Sequence, residues 1–449
     1  MPKKLSFEYL LTANGLISNQ SIEIDHDGRI LGFSPAEPNE CIPGLALPGM
    51  PNAHSHCFQR AMVGFAESKQ EGVEDSFWSW REHMYKLANR LNPDQLYIIA
   101  CQSFTEMLQA GFTSVAEFHY IHRSLEGEPT NDMADAVIRA AKDVGIRMRL
   151  LPVLYIKGGF NLPAQPEQFR FVYNSLSAYC DLLEFCKVRI PTGIAPHSLR
   201  AVPVQGLPKL IRYATAVLGE KYPIHMHIAE QKDEVKQCLA AHQLSPIQLL
   251  ADTVALTSQW NLVHATHVNG RDLDTLARMK AQVVLCPLTE AYLGDGVFPA
   301  QQFVDQGGRF AIGSDSNTRI DPFEELRLLE YGQRLMSRKR LRLSTEEGLG
   351  KPLWERAALA GAKALMFTIG QLQKGHFADI TVLDTEKTPL ASVPVERMLD
   401  AAVIGGSREL VKQVYVGGEL KVDQGRHTRA GNIESAFKFA MRGLNKELA

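Results

Sequence analysis

Eight short apolar runs, separated by longer stretches with helical apolar spacing, occupy the middle of this 449-residue chain. The runs are Gly44–His54, Thr113–His119, Ile146–Tyr155, Thr192–His197, Pro223–Ala229, Asn261–His267, Gln282–Pro287 and Arg309–Asp315. Between them, Pro93–Ala110, Asp132–Val144, Leu207–Gly219, Gln231–His242 and Asp272–Met279 carry apolar residues on one helical face. Strands that alternate with helices in this way pair in parallel, and eight of them close into a (β/α)8 barrel rather than an open sheet. The fold class is therefore α/β.

The two ends follow a different rule. Residues 5–43 and 368–425 carry short alternating strands with glycine turns, as in Ala378-Asp-Ile-Thr-Val-Leu-Asp384. Neither piece makes a core alone, so the two are expected to combine into one small β-sandwich. The expected boundaries are 1–47 and 368–425 for its halves, 48–367 for the barrel and 426–449 for a helical tail. Residues Ile433–Leu448 of that tail have helical spacing suited to capping the fold or to an oligomer contact; a homodimer is the expectation.

Composition excludes several partners. Lys+Arg 48 against Asp+Glu 50 leaves a net charge of −2, which offers no basic surface for nucleic acid. No apolar run is long enough to cross a bilayer, and Glu8 interrupts the start before a secretory stretch develops, which predicts a cytoplasmic protein. Seven cysteines without a CxxC pair argue against a disulfide framework and a cysteine-based zinc site. A metal is then expected on histidine and carboxylate.

His54-Ser-His56 supplies the first such pair. Residues i and i+2 of a strand face the same side, so both imidazoles reach one ion. Later strand ends add His225-Met-His227-Ile-Ala-Glu230, His264-Ala-Thr-His267 and Asp315. In a barrel these ends meet around one mouth. His225 and His267 stand beside the others and could be mistaken for ligands, but His267 is expected to lie beyond the end of its strand.

This constellation, with Lys374-Gly-His-Phe-Ala-Asp-Ile-Thr-Val-Leu-Asp384 near the C-terminus, resembles the amidohydrolase superfamily in its single-metal deaminase branch. The resemblance spans nearly the whole chain. It implies His54, His56, His227 and Asp315 as ligands of one divalent ion, with Zn²⁺ expected. The His-x-x-Glu spacing selects His227 over His225 and makes Glu230 the proton shuttle, while His264 resembles the family's catalytic histidine. Ile194-Ala-Pro-His197 offers no lysine where two-metal members carry one. An ion so held lowers the pKa of a water towards about 7. Asp315 would take that water's proton, His264 would stabilise the tetrahedral centre, and Glu230 would protonate the departing nitrogen.

His56-Cys-Phe-Gln59-Arg60-Ala-Met62, Ala116-Glu-Phe-His119-Tyr120, Trp78-Ser-Trp80-Arg81 and Ala195-Pro-His197-Ser-Leu-Arg200 are more similar to the N-formimidoyl-L-glutamate deiminases of histidine degradation than to purine or pyrimidine deaminases. That similarity implies a small dicarboxylate substrate. Guanidinium groups hold carboxylates with paired hydrogen bonds, which nominates Arg81 and Arg200. Gln59, Tyr120 and His197 would add neutral contacts, Trp78 and Trp80 would pack as lid or wall, and Arg60 is read as a surface charge. The competing readings are a deaminase of a heterocycle, which calls for a carboxylate-free pocket in place of Arg81 and Arg200, and a non-catalytic barrel scaffold, which calls for lost ligands.

Overall fold

The computed structural model describes residues 2–67 and 76–448. The chain opens with β1 (Lys3–Thr12), β2 (Gly15–Ile24), β3 (Ile30–Pro35) and β4 (Ile42–Pro48). The barrel follows: β5 (Met50–Ser55), β6 (Phe112–His119), β7 (Arg147–Leu154), β8 (Ala195–Pro196), β9 (Ile224–Ile228), β10 (Trp260–His264), β11 (Gln282–Leu285) and β12 (Phe310–Ile312). Strands β13 (Ile380–Leu383), β14 (Val411–Val416), β15 (Glu419–Asp423) and β16 (Arg426–His427) complete the set.

Strands β5 to β8 pair in parallel, and so do β9 to β12. Two single bridges join these halves, Ile194 with Ile224 and Ser55 with Asp315, and they close the barrel. The strands are buried on both faces, so each reads as a continuous apolar run. The helices end on local signals. Asn92 and Gln95 form a reciprocal cap before Pro93–Gln109, and Asp132–Val144 stops where Gly145 turns left-handed at φ 82°.

The terminal strands form one hydrogen-bonded sheet in the order β16-β15-β14-β13-β4-β1-β2-β3. It curls until Arg29 bridges Phe377, and its inner face encloses Phe7, Leu10, Ile22, Ile24, Ala46, Ile380 and Val382. The final helix, Ala430–Leu448, packs along Pro93–Gln109 and buries Leu444. Among the described residues, no helix is long and apolar enough to cross a membrane.

Two of the expected strands need correction. Gly44–His54 is not one strand but two, β4 in the terminal sheet and β5 in the barrel. Gly49 N–H donates to Asp379 of the terminal sheet at 2.9 Å, while Met50 N–H donates to Gly111 beside the barrel at 3.1 Å. The chain changes sheets between these two residues. Gly49 is required there, because a Cβ would meet Thr113 Cγ2 at 2.2 Å and Oγ1 at 2.4 Å. The run Thr192–His197 pairs regularly only at Ala195–Pro196, with single bridges at Thr192 and Ile194.

Thr113 is β-branched and fully buried, so it cannot rotate away from an added methyl. Gly49→Ala is expected to destabilise the protein by about 1–3 kcal/mol through overpacking, read as a lower urea midpoint with an unchanged slope.

Candidate active site

His54 and His56 lie on and just after β5, His227 on β9, and Asp315 just after β12. His54 Nε2 is 3.2 Å from His56 Nε2, 3.0 Å from His227 Nε2 and 3.4 Å from Asp315 Oδ1, which is also 3.4 Å from His56 Nε2. His56 Nδ1 donates to the Phe118 carbonyl at 2.9 Å, and His227 Nδ1 to that of His197 at 3.2 Å. Both rings therefore present a bare lone pair at Nε2, and these lone pairs converge. Without a cation that arrangement is repulsive. Donors bound at about 2.1 Å to one tetrahedral ion sit about 3.4 Å apart, so the four residues fit a divalent metal of the zinc type. Burial pushes His54 down to about 3 and lowers His56 and His227 as well, which keeps the imidazoles in the neutral form that ligates.

Beside this set, His264 Nε2 lies 3.6 Å from Asp315 Oδ2 and 3.8 Å from Glu230 Oε1. His264 Nδ1 donates to Glu290 Oε1 at 3.3 Å. Burial lowers His264, but the charges of Glu230, Asp315 and Glu290 and the Glu290 hydrogen bond outweigh it and raise its pKa to about 10. Burial raises Glu230 to about 6 against the opposing pull of His264 and Arg200. Asp315 is raised by burial yet held well below the carboxylate range by the hydrogen bond and charge of His54 and by His264 and His56. These directions belong to the metal-free site; a divalent cation alongside favours the deprotonated forms.

His56, His227, Glu230, His264 and Asp315 line an open cavity whose wall also includes Gln59, Arg81, Tyr120, His197 and Arg200, all five of the expected substrate contacts. Gln59 Nε2 donates to the Tyr120 hydroxyl at 2.8 Å, and Gln59 Oε1 is buried without a donor among the described residues. The His197 ring packs 4.7 Å from that of Tyr155. Arg81 lies over Trp78 at 4.4 Å and has no carboxylate partner among the described residues. Arg200 differs: it is buried, with Nη2 3.7 Å from Glu230 Oε2 and Nε 3.7 Å from Glu234 Oε2. Trp80 lines the cavity, whereas the Trp78 ring lies 4.4 Å from the guanidinium carbon of Arg81 and 5.7 Å from that of Arg200.

Residues 45–421 match the model of the amidohydrolase family. The chain belongs to that family. It is 44% identical to a formimidoylglutamate deiminase of Pseudomonas aeruginosa, over 96% of this chain and 97% of that one. An amidohydrolase structure from Brucella melitensis superposes with a TM-score of 0.90 at 38% identity, covering 98% and 99% of the two chains. An adenosine deaminase structure from Xanthomonas campestris with bound zinc shares the fold, with a TM-score of 0.80 at 20% identity and coverage of 99% and 98%.

Within this amidohydrolase site, the residues set aside on spacing face elsewhere. His225 Nε2 donates to the Ala364 carbonyl at 2.9 Å on the outer face of its strand. His267 is not on the cavity wall, and Arg60 pairs with Glu106 at 2.9 Å. Three carboxylates escaped sequence reasoning. Glu234 accepts from Ala229 N and Glu230 N, both at 3.2 Å, and faces Arg200. Glu290 orients His264. Glu117 accepts from Cys57 N at 2.7 Å and Ser55 Oγ at 2.8 Å, clamping the loop that carries His54 and His56. Only Glu234 had a signal, standing four residues after Glu230 at the start of a helix.

Burial raises Glu117 to about 7 against the Cys57 and Ser55 hydrogen bonds, so it is an expensive anchor kept in place by those two donors. Glu117→Gln brings an amide N–H against one of them. Metal affinity is expected to fall about ten- to a hundredfold, measured by chelator competition, with the barrel still folded by circular dichroism.

Proposed function

We propose that this chain hydrolyses N-formimidoyl-L-glutamate to N-formyl-L-glutamate and ammonia, a step of histidine degradation, with one Zn²⁺-like ion per chain. The observation that carries the reading is the pair of guanidinium groups, Arg81 and Arg200, facing the His54–His56–His227–Asp315 set across one cavity. A heterocycle has no use for two such groups, and a scaffold has no use for a complete ligand set. The 44% identity to a formimidoylglutamate deiminase over nearly both chains supports the same assignment.

An ion in the ligand set supplies Lewis acidity, lowering the pKa of a nearby water. The chain's own residues supply the proton steps. Asp315 Oδ2, turned towards His264 rather than the ligand imidazoles, is placed to accept a proton from the attacking water. His264, fixed by Glu290 at Nδ1, is placed to donate a hydrogen bond from Nε2 to the attacking oxygen as the formimidoyl carbon becomes tetrahedral and the C=N electron pair moves to nitrogen. Glu230, beside His264 on the cavity wall, hands a proton to the nitrogen that departs as ammonia. The substrate carboxylates are held by Arg81 and Arg200, with the Gln59–Tyr120 pair and His197 packing the stem between them.

Elemental analysis of purified, active protein is expected to give about one divalent ion per chain. Glu230→Gln should keep that ion and lose about 10²- to 10⁴-fold in kcat, because Glu230 moves protons without ligating. Near-normal turnover would remove it from the shuttle role.

Arg81→Met should cut kcat/KM for N-formimidoyl-L-glutamate by about ten- to a hundredfold with the metal content unchanged, reflecting a lost charge-assisted contact. Arg200→Met should do this and also lower the melting temperature, since it leaves Glu234 buried beside Glu230 without a cation. An analogue lacking the carboxylate read by Arg81 should lose little further with Arg81→Met. Independent, additive losses would return Arg81 to an ordinary surface charge.

A further inference from the structure

The ends of three neighbouring strands, β10, β11 and β12, bring a second group of metal-binding atoms together. His264, Cys286 and Asp315 each place a ligand atom within 4.8 Å of the other two, all buried. The Asp315 carboxylate is already divided: Oδ1 faces His54 and His56 at 3.4 Å each, and Oδ2 faces His264 Nε2 at 3.6 Å. A carboxylate so turned can bridge two ions. Glu290 Oε1 accepts from both Cys286 N at 2.9 Å and His264 Nδ1 at 3.3 Å, so one oxygen anchors two members of the group and leaves His264 Nε2 turned towards Asp315. Glu230 Oε1 lies beside the group, 3.8 Å from His264 Nε2.

We propose that His264, Cys286 and Asp315 form a second, inhibitory site for a thiophilic divalent ion such as Zn²⁺ or Co²⁺. Cysteine spacing argued against thiolate ligation, and the fold, not the spacing, supplies this one sulfur. On binding, the Cys286 S–H and His264 Nε2–H bonds give way to metal–thiolate and metal–imidazole bonds, and both protons leave to solvent. The ion thereby takes up His264 Nε2 and crowds Glu230, the two groups assigned above to stabilising the tetrahedral centre and to proton delivery. Binding itself does not depend on that assignment; the loss of turnover rests on the proposed deiminase reading.

The test titrates protein holding one equivalent of Zn²⁺ with Co²⁺, following near-ultraviolet absorbance, bound metal and ammonia release from N-formimidoyl-L-glutamate. One further ion per chain is expected, with a thiolate-to-cobalt charge-transfer band and a fall in turnover of at least about a hundredfold as the acid–base groups are taken up. Mg²⁺ should produce neither change, since it avoids sulfur. In Cys286→Ser the band should be absent and the ratio of turnover with and without Co²⁺ should return close to one. His264→Asn, which keeps the thiol, should also lose the band and serves if Cys286→Ser does not fold. No second ion, a second ion without the band, or inhibition unchanged in Cys286→Ser would each overturn the proposal. A band that appears in protein inactive on N-formimidoyl-L-glutamate would uphold the site and sink the substrate reading instead.

Discussion

Asp315 closes the barrel and completes the ligand set at once. Its backbone N–H donates to the His54 carbonyl and its carbonyl accepts from His56 N–H, each at 2.9 Å, so the seam between β12 and β5 is stitched by the metal-binding residues themselves. The side chain can then turn inward only because the backbone there is left-handed, φ 45°, a conformation that costs a residue other than glycine about 1–3 kcal/mol. Asn317 holds it there, with Nδ2 donating to Ser55 Oγ, the His56 carbonyl and the Asp315 carbonyl. Gly313, two residues earlier, lets the strands approach; a Cβ would lie 2.7 Å from the His54 carbonyl oxygen. Ala229 and His264 are also left-handed, at φ 51° and 68°. Strain therefore collects at the barrel mouth, where side chains are re-aimed towards one point.

What could be read from the amino-acid order follows from which forces are local. Barrel strands were legible because burial on both faces makes them unbroken apolar runs, and the helices because one face must be apolar. The same rule hid the junction. Leu45 to Ser55 is apolar on both sides of Gly49 and buried throughout, so the passage from one sheet to another leaves no mark in hydrophobicity. Only the steric need at Gly49 marks it, and that depends on Thr113, distant in sequence.

The site shows the same division. His54 and His56 declare themselves through strand periodicity, and His227 with Glu230 through a spacing that resembles the family's. Arg81 and Arg200 were chosen for what a dicarboxylate demands, and both line the cavity. Glu117 and Glu290 could not be found this way, because each works by accepting backbone and side-chain hydrogen bonds from other strands. An acceptor buried between strands looks, in sequence, like any other glutamate.

Charge balance ties these carboxylates to the metal. Glu230, Glu234, Glu290 and Asp315 surround Arg200 and His264, leaving a formal excess of two negative charges in a buried volume. Two more acids nearby respond to that excess: burial and the charge of Glu230 raise Asp295 to about 9, and burial with the charges of Glu290 and Asp315 raises Glu325 well above the usual range. Uncompensated buried charge costs several kcal/mol per ion, so a divalent cation in the His54–His56–His227–Asp315 set offsets what the fold would otherwise bear. Arg81 stands apart from this balance. It lines the cavity over Trp78, with no acid paired to it among the described residues, while Glu230 lines the same cavity. On the proposed reading, that polarity orients the substrate before any chemistry begins: a carboxylate meets Arg81, and the basic formimidoyl nitrogen is drawn to Glu230, the group assigned to protonate it as it leaves.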